Sequence, residues 1–125
     1  MKKEAVVTDK IAKPVGPFSP AVRVGEVVYL SGQVAQDAAT GRLVEGDVAR
    51  QTEQVLRNVR AVLEAAGKSL SDVVAVRVYL TDMTNFAAMN EVYARHFEPP
   101  YPARTTIGVK ALPLGATVEI DLIAQ

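Results

Sequence analysis

The sequence predicts an α+β fold: a six-stranded sheet with two helices packed on one face. Six short runs are dense in β-branched residues and alternate with period two, bounded by Gly, Pro, Asn or Asp. Two other stretches repeat apolar residues every three to four positions, with helix-capping signals at their ends. Two amphipathic helices cover only one side of such a sheet, so its other side must find a different neighbour.

In chain order, Ala5 to Thr8 reads as a short edge strand. Lys13 to Ala21 holds three prolines and a glycine, which exclude helix and central strand and leave a stiff loop presenting Phe18 and Ser19. Phe18 is then either a core plug or the rim of a pocket. Val22 to Val24, a Gly25-Glu26 turn and Val27 to Ser31 form a hairpin, and Gly32 at its end permits close approach of another group. Asp37 to Arg42 is a surface turn.

From Asp47 the period changes. Val48, Thr52, Val55, Leu56, Val59, Val62, Leu63 and Ala66 form one helical stripe, with Asp47 as N-cap and Gly67 just past the end. Arg50, Glu53, Gln54, Arg57, Arg60 and Glu64 make its solvated side. Ser71 to Thr81 is apolar on both sides and reads as a central strand, with Val74, Val76, Val78 and Leu80 on one face. A second helix, capped by Asp82 or Thr84, turns Phe86, Met89, Tyr93 and Phe97 inward and stops at Pro99-Pro100. Asn90 edges that stripe, as a side chain bonded to nearby backbone or as a ligand contact, and His96 is read as a surface residue at the helix end.

Pro102 to Lys110 and Thr117 to Ala124 are the last two strands. Antiparallel pairing directly across the Leu112-Pro113-Leu114-Gly115-Ala116 connection gives facing residue numbers an odd sum, which places Arg104 and Glu119 on the same face of the sheet. A guanidinium and a carboxylate so placed form a structural ion pair or a ligand site. The helix-free face then carries Arg77, Arg104, Glu119 and Asp121 among Val73, Tyr79 and Ile123, a mixture suited to a subunit interface with a partly polar cleft.

Composition narrows the chemistry. The 125 residues are expected to form one domain, 1–125, with 49% hydrophobic and 22% charged side chains. Fourteen basic and fourteen acidic residues balance, which weighs against a nucleic-acid partner. The chain has no cysteine and one histidine, so disulfides, thiolate chemistry and His-based triads lack their parts. No metal-ligand spacing, dinucleotide fingerprint or P-loop appears. The N-terminus has no apolar run of signal-peptide length, giving a cytoplasmic location as the expectation, without a membrane partner. What remains is a positive fork, a carboxylate, hydroxyls and backbone groups, which suit water addition to an already activated small carboxylic acid.

Five blocks then carry a resemblance: Gly16-Pro17-Phe18-Ser19-Pro20-Ala21, Ser31-Gly32-Gln33, Asn90-Glu91-Val92-Tyr93, Pro102-Ala103-Arg104-Thr105-Thr106, and Leu112 to Ile120. In order and spacing they resemble the RidA family, also called YjgF/YER057c/UK114, along nearly the whole chain. The resemblance implies a chorismate-mutase-like α+β fold with a mixed six-stranded sheet, a homotrimer with clefts between subunits, and no cofactor. It implies hydrolysis of 2-aminoacrylate, 2-iminopropanoate or 2-iminobutanoate to 2-keto acids and ammonia. By the same resemblance, Arg104 holds the substrate carboxylate, Glu119 serves the attacking water, and Phe18, Ser31, Gly32, Asn90 and Thr106 line the site. Members of that family commonly carry Tyr at the position of Phe18 and Cys at that of Thr106. Ribonuclease or translation-inhibitor activity, and a non-catalytic small-acid-binding or chaperone-like trimer, are the alternative readings.

Overall fold

The computed structural model describes residues 2–125. Its strands are β1 (Glu4–Val6), β2 (Ala21–Val24), β3 (Val27–Gln33), β4 (Val73–Leu80), β5 (Ala103–Gly108) and β6 (Val118–Ala124), with helices α1 (Val48–Ala65) and α2 (Phe86–Tyr93). They form one mixed sheet in the order β1-β2-β3-β6-β4-β5.

The order follows from the two helices. Parallel neighbours need a crossover long enough to carry the chain back, and α1 and α2 supply the crossovers from β3 to β4 and from β4 to β5. Both crossovers step the same way along the sheet, so their common handedness lays both helices on one face. β6 fills the slot between β3 and β4, antiparallel to each, while β5 lies parallel to β4 at the edge.

β5 and β6 are therefore not partners, contrary to the hairpin expected across Leu112–Ala116. That connection turns through Pro113–Gly115, with Leu114 at φ 62° and Gly115 at φ 74°, and hands the chain over β4 rather than straight back. The expected common face for Arg104 and Glu119 fails with it. Arg104 aligns with Val76 on the helix-covered face, whereas Glu119 aligns with Tyr79 on the open one.

The core lies between the covered face and the helices. Val76, Val78 and Leu80, with Val118, Ile120, Leu122 and Ala124, meet Val48, Val55, Leu56, Val59, Val62 and Leu63 of α1, all buried as their spacing predicts. A register shift between Val73 and Ala75 turns Val73 inward and leaves Val74 exposed, reversing the expected parity at the start of β4. Asp47 accepts a hydrogen bond from the Arg50 amide at 3.0 Å, as an N-cap should.

Two buried polar residues on α1 escape the apolar pattern. Asn58 Nδ2 donates to the Val34 and Gln36 carbonyls at 3.2 and 3.0 Å, and Gln51 Oε1 accepts from the amide and hydroxyl of Thr117. They pin the β3–α1 connection and the entry to β6. On α2, Met89, Val92 and Tyr93 are buried and Phe97 follows them inward, but Phe86 is 38% exposed. A turn of 3-10 helix at Met83–Asn85 precedes it and starts α2 late, at the rim of the core.

Candidate active site

The residues predicted for the site gather in two groups. The first lies between α2 and β5. Arg104 rises from the covered face of an edge strand, where its side chain meets the end of α2. Its Cζ lies 4.6 Å from the centroid of the Tyr93 ring and 5.8 Å from that of Phe86. Stacking on an aromatic face holds the fork in place and contributes about 0.5–2 kcal/mol. Among the described residues, no carboxylate comes within 4.0 Å of Arg104.

Beside it opens a cavity of about 290 Å³, lined by Asn90, Tyr93, Ala94, Tyr101, Pro102 and Arg104. Among the described residues, three buried side-chain polar atoms lack a hydrogen-bond partner: Asn90 Oδ1, Tyr93 Oη and Thr106 Oγ1. Each belongs to the neighbourhood of Arg104, since Thr106 follows it by two on the same face of β5. Buried polar groups normally find partners, so their convergence around an unpaired cation marks a place prepared for a polar, anionic ligand. The Tyr93 hydroxyl is pushed up by burial, partly offset by Arg104.

The second group lies on the open face. The register of β3 against β6 shifts between Leu30 and Gln33, a bulge that sets Gly32 against Glu119. A Cβ on Gly32 would stand 2.3 Å from Glu119 Oε2, so only glycine lets the carboxylate lie there. The Ser31 hydroxyl donates to the Ser19 carbonyl at 2.7 Å, and the Ser31 amide to Pro20 at 2.9 Å. These bonds fix the proline-rich loop, on which Phe18 is 51% exposed. Phe18 is thus a rim residue, not a core plug.

Burial pushes the Glu119 carboxyl above its ordinary value, and the neighbouring Asp121 adds to the shift. Asp121 itself accepts from Arg77 Nε at 2.8 Å and from the Tyr79 hydroxyl at 2.9 Å. Ion pairing between Arg104 and Glu119, one of the two readings of the sequence, is excluded by their opposite faces. Tyr93 and the Asp121 network adjoin the candidate site residues, and the linear reading did not place them in the site. The spacing of Tyr93 three residues after Asn90, and the shared parity of Tyr79, Glu119 and Asp121, were the available signals.

His96 is not the surface residue expected. Its side chain is 10% exposed, with Nδ1 3.2 Å from Arg60 and Nε2 3.0 Å from Glu53. It stands apart from both groups. Among the described residues no three His, Cys, Asp or Glu side chains converge to hold a metal ion, and no helix is long and apolar enough to cross a membrane.

A family model described as Endoribonuclease L-PSP matches residues 8–125. The chain belongs to this family, the RidA (YjgF/YER057c/UK114) family. A RutC family protein of Pyrococcus horikoshii is 48% identical over 122 residues, spanning 98% of this chain and 97% of that one. A protein of Dermatophagoides farinae named 2-iminobutanoate/2-iminopropanoate deaminase is 41% identical, over 97% of this chain and 94% of its own. The crystal structure of RidA from the Antarctic bacterium Psychrobacter sp. superposes with a TM-score of 0.94 at 48% identity, covering 97% of this chain and 98% of that one. The RidA fold thus accounts for the mixed sheet and the two helices on one face.

Proposed function

We propose that the protein hydrolyses reactive 2-imino and 2-enamino acids to 2-keto acids and ammonia, in clefts where the Arg104 group of one chain meets the Glu119 group of another. The observation that carries this reading is the unpaired guanidinium of Arg104, stacked on Tyr93 beside a small cavity edged by unpartnered polar atoms. A planar fork of this kind binds a carboxylate through two parallel hydrogen bonds and fixes its plane. The cavity admits a substrate of a few carbons, such as 2-aminoacrylate, 2-iminopropanoate or 2-iminobutanoate. The name of the Dermatophagoides farinae relative, 2-iminobutanoate/2-iminopropanoate deaminase, supports the last two of these.

The chemistry needs little more than position. An enamine reacts as its imine tautomer, nitrogen losing a proton and the terminal carbon gaining one; with the carboxylate on Arg104, the imine carbon then faces a water held by Glu119. Glu119 takes a proton as the water oxygen bonds to carbon and the C=N electron pair moves to nitrogen. The nitrogen is protonated, the C–N bond breaks, ammonia leaves and the hydroxyl loses its proton to become the keto oxygen. An imine carbon is already electrophilic, so orienting the two reactants supplies most of what is needed.

Neither group suffices alone, and one chain holds them on opposite faces of its sheet. The open face, with Tyr29 and Ile107 both nearly half exposed around Arg77, Tyr79 and Asp121, suits contact with another copy. A closed ring of three presents each Glu119 group to a neighbour's Arg104 group.

The test is complementation. A serine or threonine dehydratase generates the imine, and its disappearance is followed with and without the protein. Arg104→Lys and Glu119→Gln are each expected to lose most of their activity, to about a tenth or less, while subunits of the two mixed at equal amounts recover about a quarter of wild-type activity, because a quarter of shared sites draw both intact residues. No recovery in mixed oligomers overturns the shared site. Tight 2-keto acid binding by the wild type without faster imine loss overturns the catalytic reading.

A further inference from the structure

A separate concentration of positive charge lies in a groove between the solvent side of α1 and the end of α2. The groove encloses about 620 Å³ and shares no lining residue with the Arg104 cavity. We propose that it binds the oligophosphate group of a small molecule, as in a nucleoside polyphosphate or an inorganic oligophosphate.

Four arginines line it, Arg50, Arg57 and Arg60 from α1 and Arg95 from beyond α2. The chain has eight arginines and six lysines, so half of the arginines and none of the lysines are gathered here. Chance accumulation of solvated charge has no reason to choose between the two. Phosphate recognition does, since the guanidinium fork matches two phosphate oxygens and is more weakly hydrated than an ammonium. Arg50, Arg57 and Arg60 run along one side of α1 over about 15 Å. Among the described residues none of these three has a carboxylate within 4.0 Å.

The groove contains one acid, Glu53, whose carboxylate is bonded to His96 within the groove and offsets one of the four positive charges. A guanidinium only donates, so Arg60 Nη2 makes His96 Nδ1 the acceptor, and Nε2 donates to Glu53 Oε1 and Oε2 at 3.1 and 3.0 Å. The relay holds both carboxylate oxygens toward His96 and orders Arg60 at the same time. Arg95 has only an exposed pair at 3.7 Å to Glu91, a contact of small worth that a phosphate readily displaces.

The lining also bears on the ligand's size. Val44, Ala49 and Val92 give an apolar strip beside the cations, and Gln54 a neutral donor and acceptor. Among the described residues no Phe, Tyr or Trp lines the groove, and the His96 ring is held between Arg60 and Glu53. Single-stranded nucleic acid sites stack bases on aromatic rings, so the groove lacks the platform that a strand requires and fits a compact phosphorylated molecule better.

The experiment is calorimetric titration of the intact protein with ATP, with inorganic tripolyphosphate and with a single-stranded RNA oligonucleotide, at low and at moderate salt. Tripolyphosphate is expected to bind, and the Arg50→Ala/Arg57→Ala variant to bind it about tenfold or more weakly. A Lys2→Ala/Lys3→Ala variant, which removes the same charge elsewhere, is expected to bind as the wild type does. Tighter binding of ATP than of tripolyphosphate identifies a nucleoside polyphosphate, and equal binding a free oligophosphate. Imine turnover and melting temperature of the arginine variant serve as controls and should not change. The proposal is overturned by absence of tripolyphosphate binding at millimolar concentration, by equal weakening in the lysine variant, or by RNA binding tighter than ATP and lost with the arginines.

Discussion

Gly32→Ala isolates the position of Glu119 from its chemistry. Gly32 does not need a left-handed backbone, so alanine is tolerated by the main chain, and the only obstacle to its methyl group is Glu119. The added carbon would stand 2.3 Å from Oε2, 2.8 Å from Cδ and 3.1 Å from Cγ. The end of a flexible side chain can yield, so the protein should fold with a melting temperature close to that of the wild type. To reach ordinary contact the carboxylate must withdraw by about 1 Å, and a displacement of that size in a reacting group costs on the order of 100-fold in rate. That corresponds to about 2.7 kcal/mol in the barrier. The dehydratase-coupled assay should therefore show kcat reduced by about two orders of magnitude, while 2-keto acid binding through Arg104 is retained. Wild-type turnover in a folded Gly32→Ala protein would refute the assignment of Glu119 as the group that holds the water.

Four further outcomes follow from the structure. Arg104→Lys keeps the charge but loses the planar fork and its stacking on Tyr93; turnover should fall roughly 10- to 100-fold at unchanged melting temperature, measured by the same assay. Because Glu119 must be ionised to act as a base, activity should fall as pH drops through its raised pKa. Asp121→Asn removes the smaller cause of that shift and should move the acid limb of the pH–rate profile downward without restoring the ordinary value. A carboxyl whose folded pKa is raised above its unfolded one opposes folding, an effect absent below the unfolded value, growing between the two and complete above the folded one. Glu119→Gln should thus melt higher than wild type at neutral pH, the difference vanishing in acid, while losing activity. Asn58→Ala strands the Val34 and Gln36 carbonyls inside the protein and should cost about 1–3 kcal/mol of stability by denaturant unfolding, with kcat unaffected.

The sequence disclosed the elements more faithfully than their neighbours. The α1 stripe, the β6 alternation and the Asp47 cap appear as read, because each depends on spacing within one segment. Strand pairing does not. Arg104 and Glu119 are separated by a short connection rich in Pro and Gly, which local turn chemistry renders as a hairpin. Pairing β5 with β4 depends instead on α2 serving as a crossover, a relation between elements that no local window contains. The consequence reached the candidate site, where Arg104 lies on the face opposite to the one expected. Val74 failed on a smaller scale, since one unpaired residue in β4 inverts the parity of everything before it. His96 was misplaced because its partners, Arg60 and Glu53, come from another helix.

The division of the site proposed above between two chains has a physical logic. Arg104 needs an apolar, aromatic wall to hold its fork, and only the helix-covered side provides Tyr93. Glu119 needs partial burial beside Asp121 to become a stronger base, yet a fully enclosed carboxyl would remain protonated and inert. The open face meets that condition while its neighbour is absent, and association tightens it. Had both groups shared one face of one chain, their attraction would have closed them into an ion pair, lowering the basicity of Glu119 and occupying the fork meant for the substrate. Opposite faces keep each group unquenched until a second chain and a substrate carboxylate arrive together. A site built this way makes catalysis depend on assembly, so dilution that separates the chains should abolish turnover before it unfolds them.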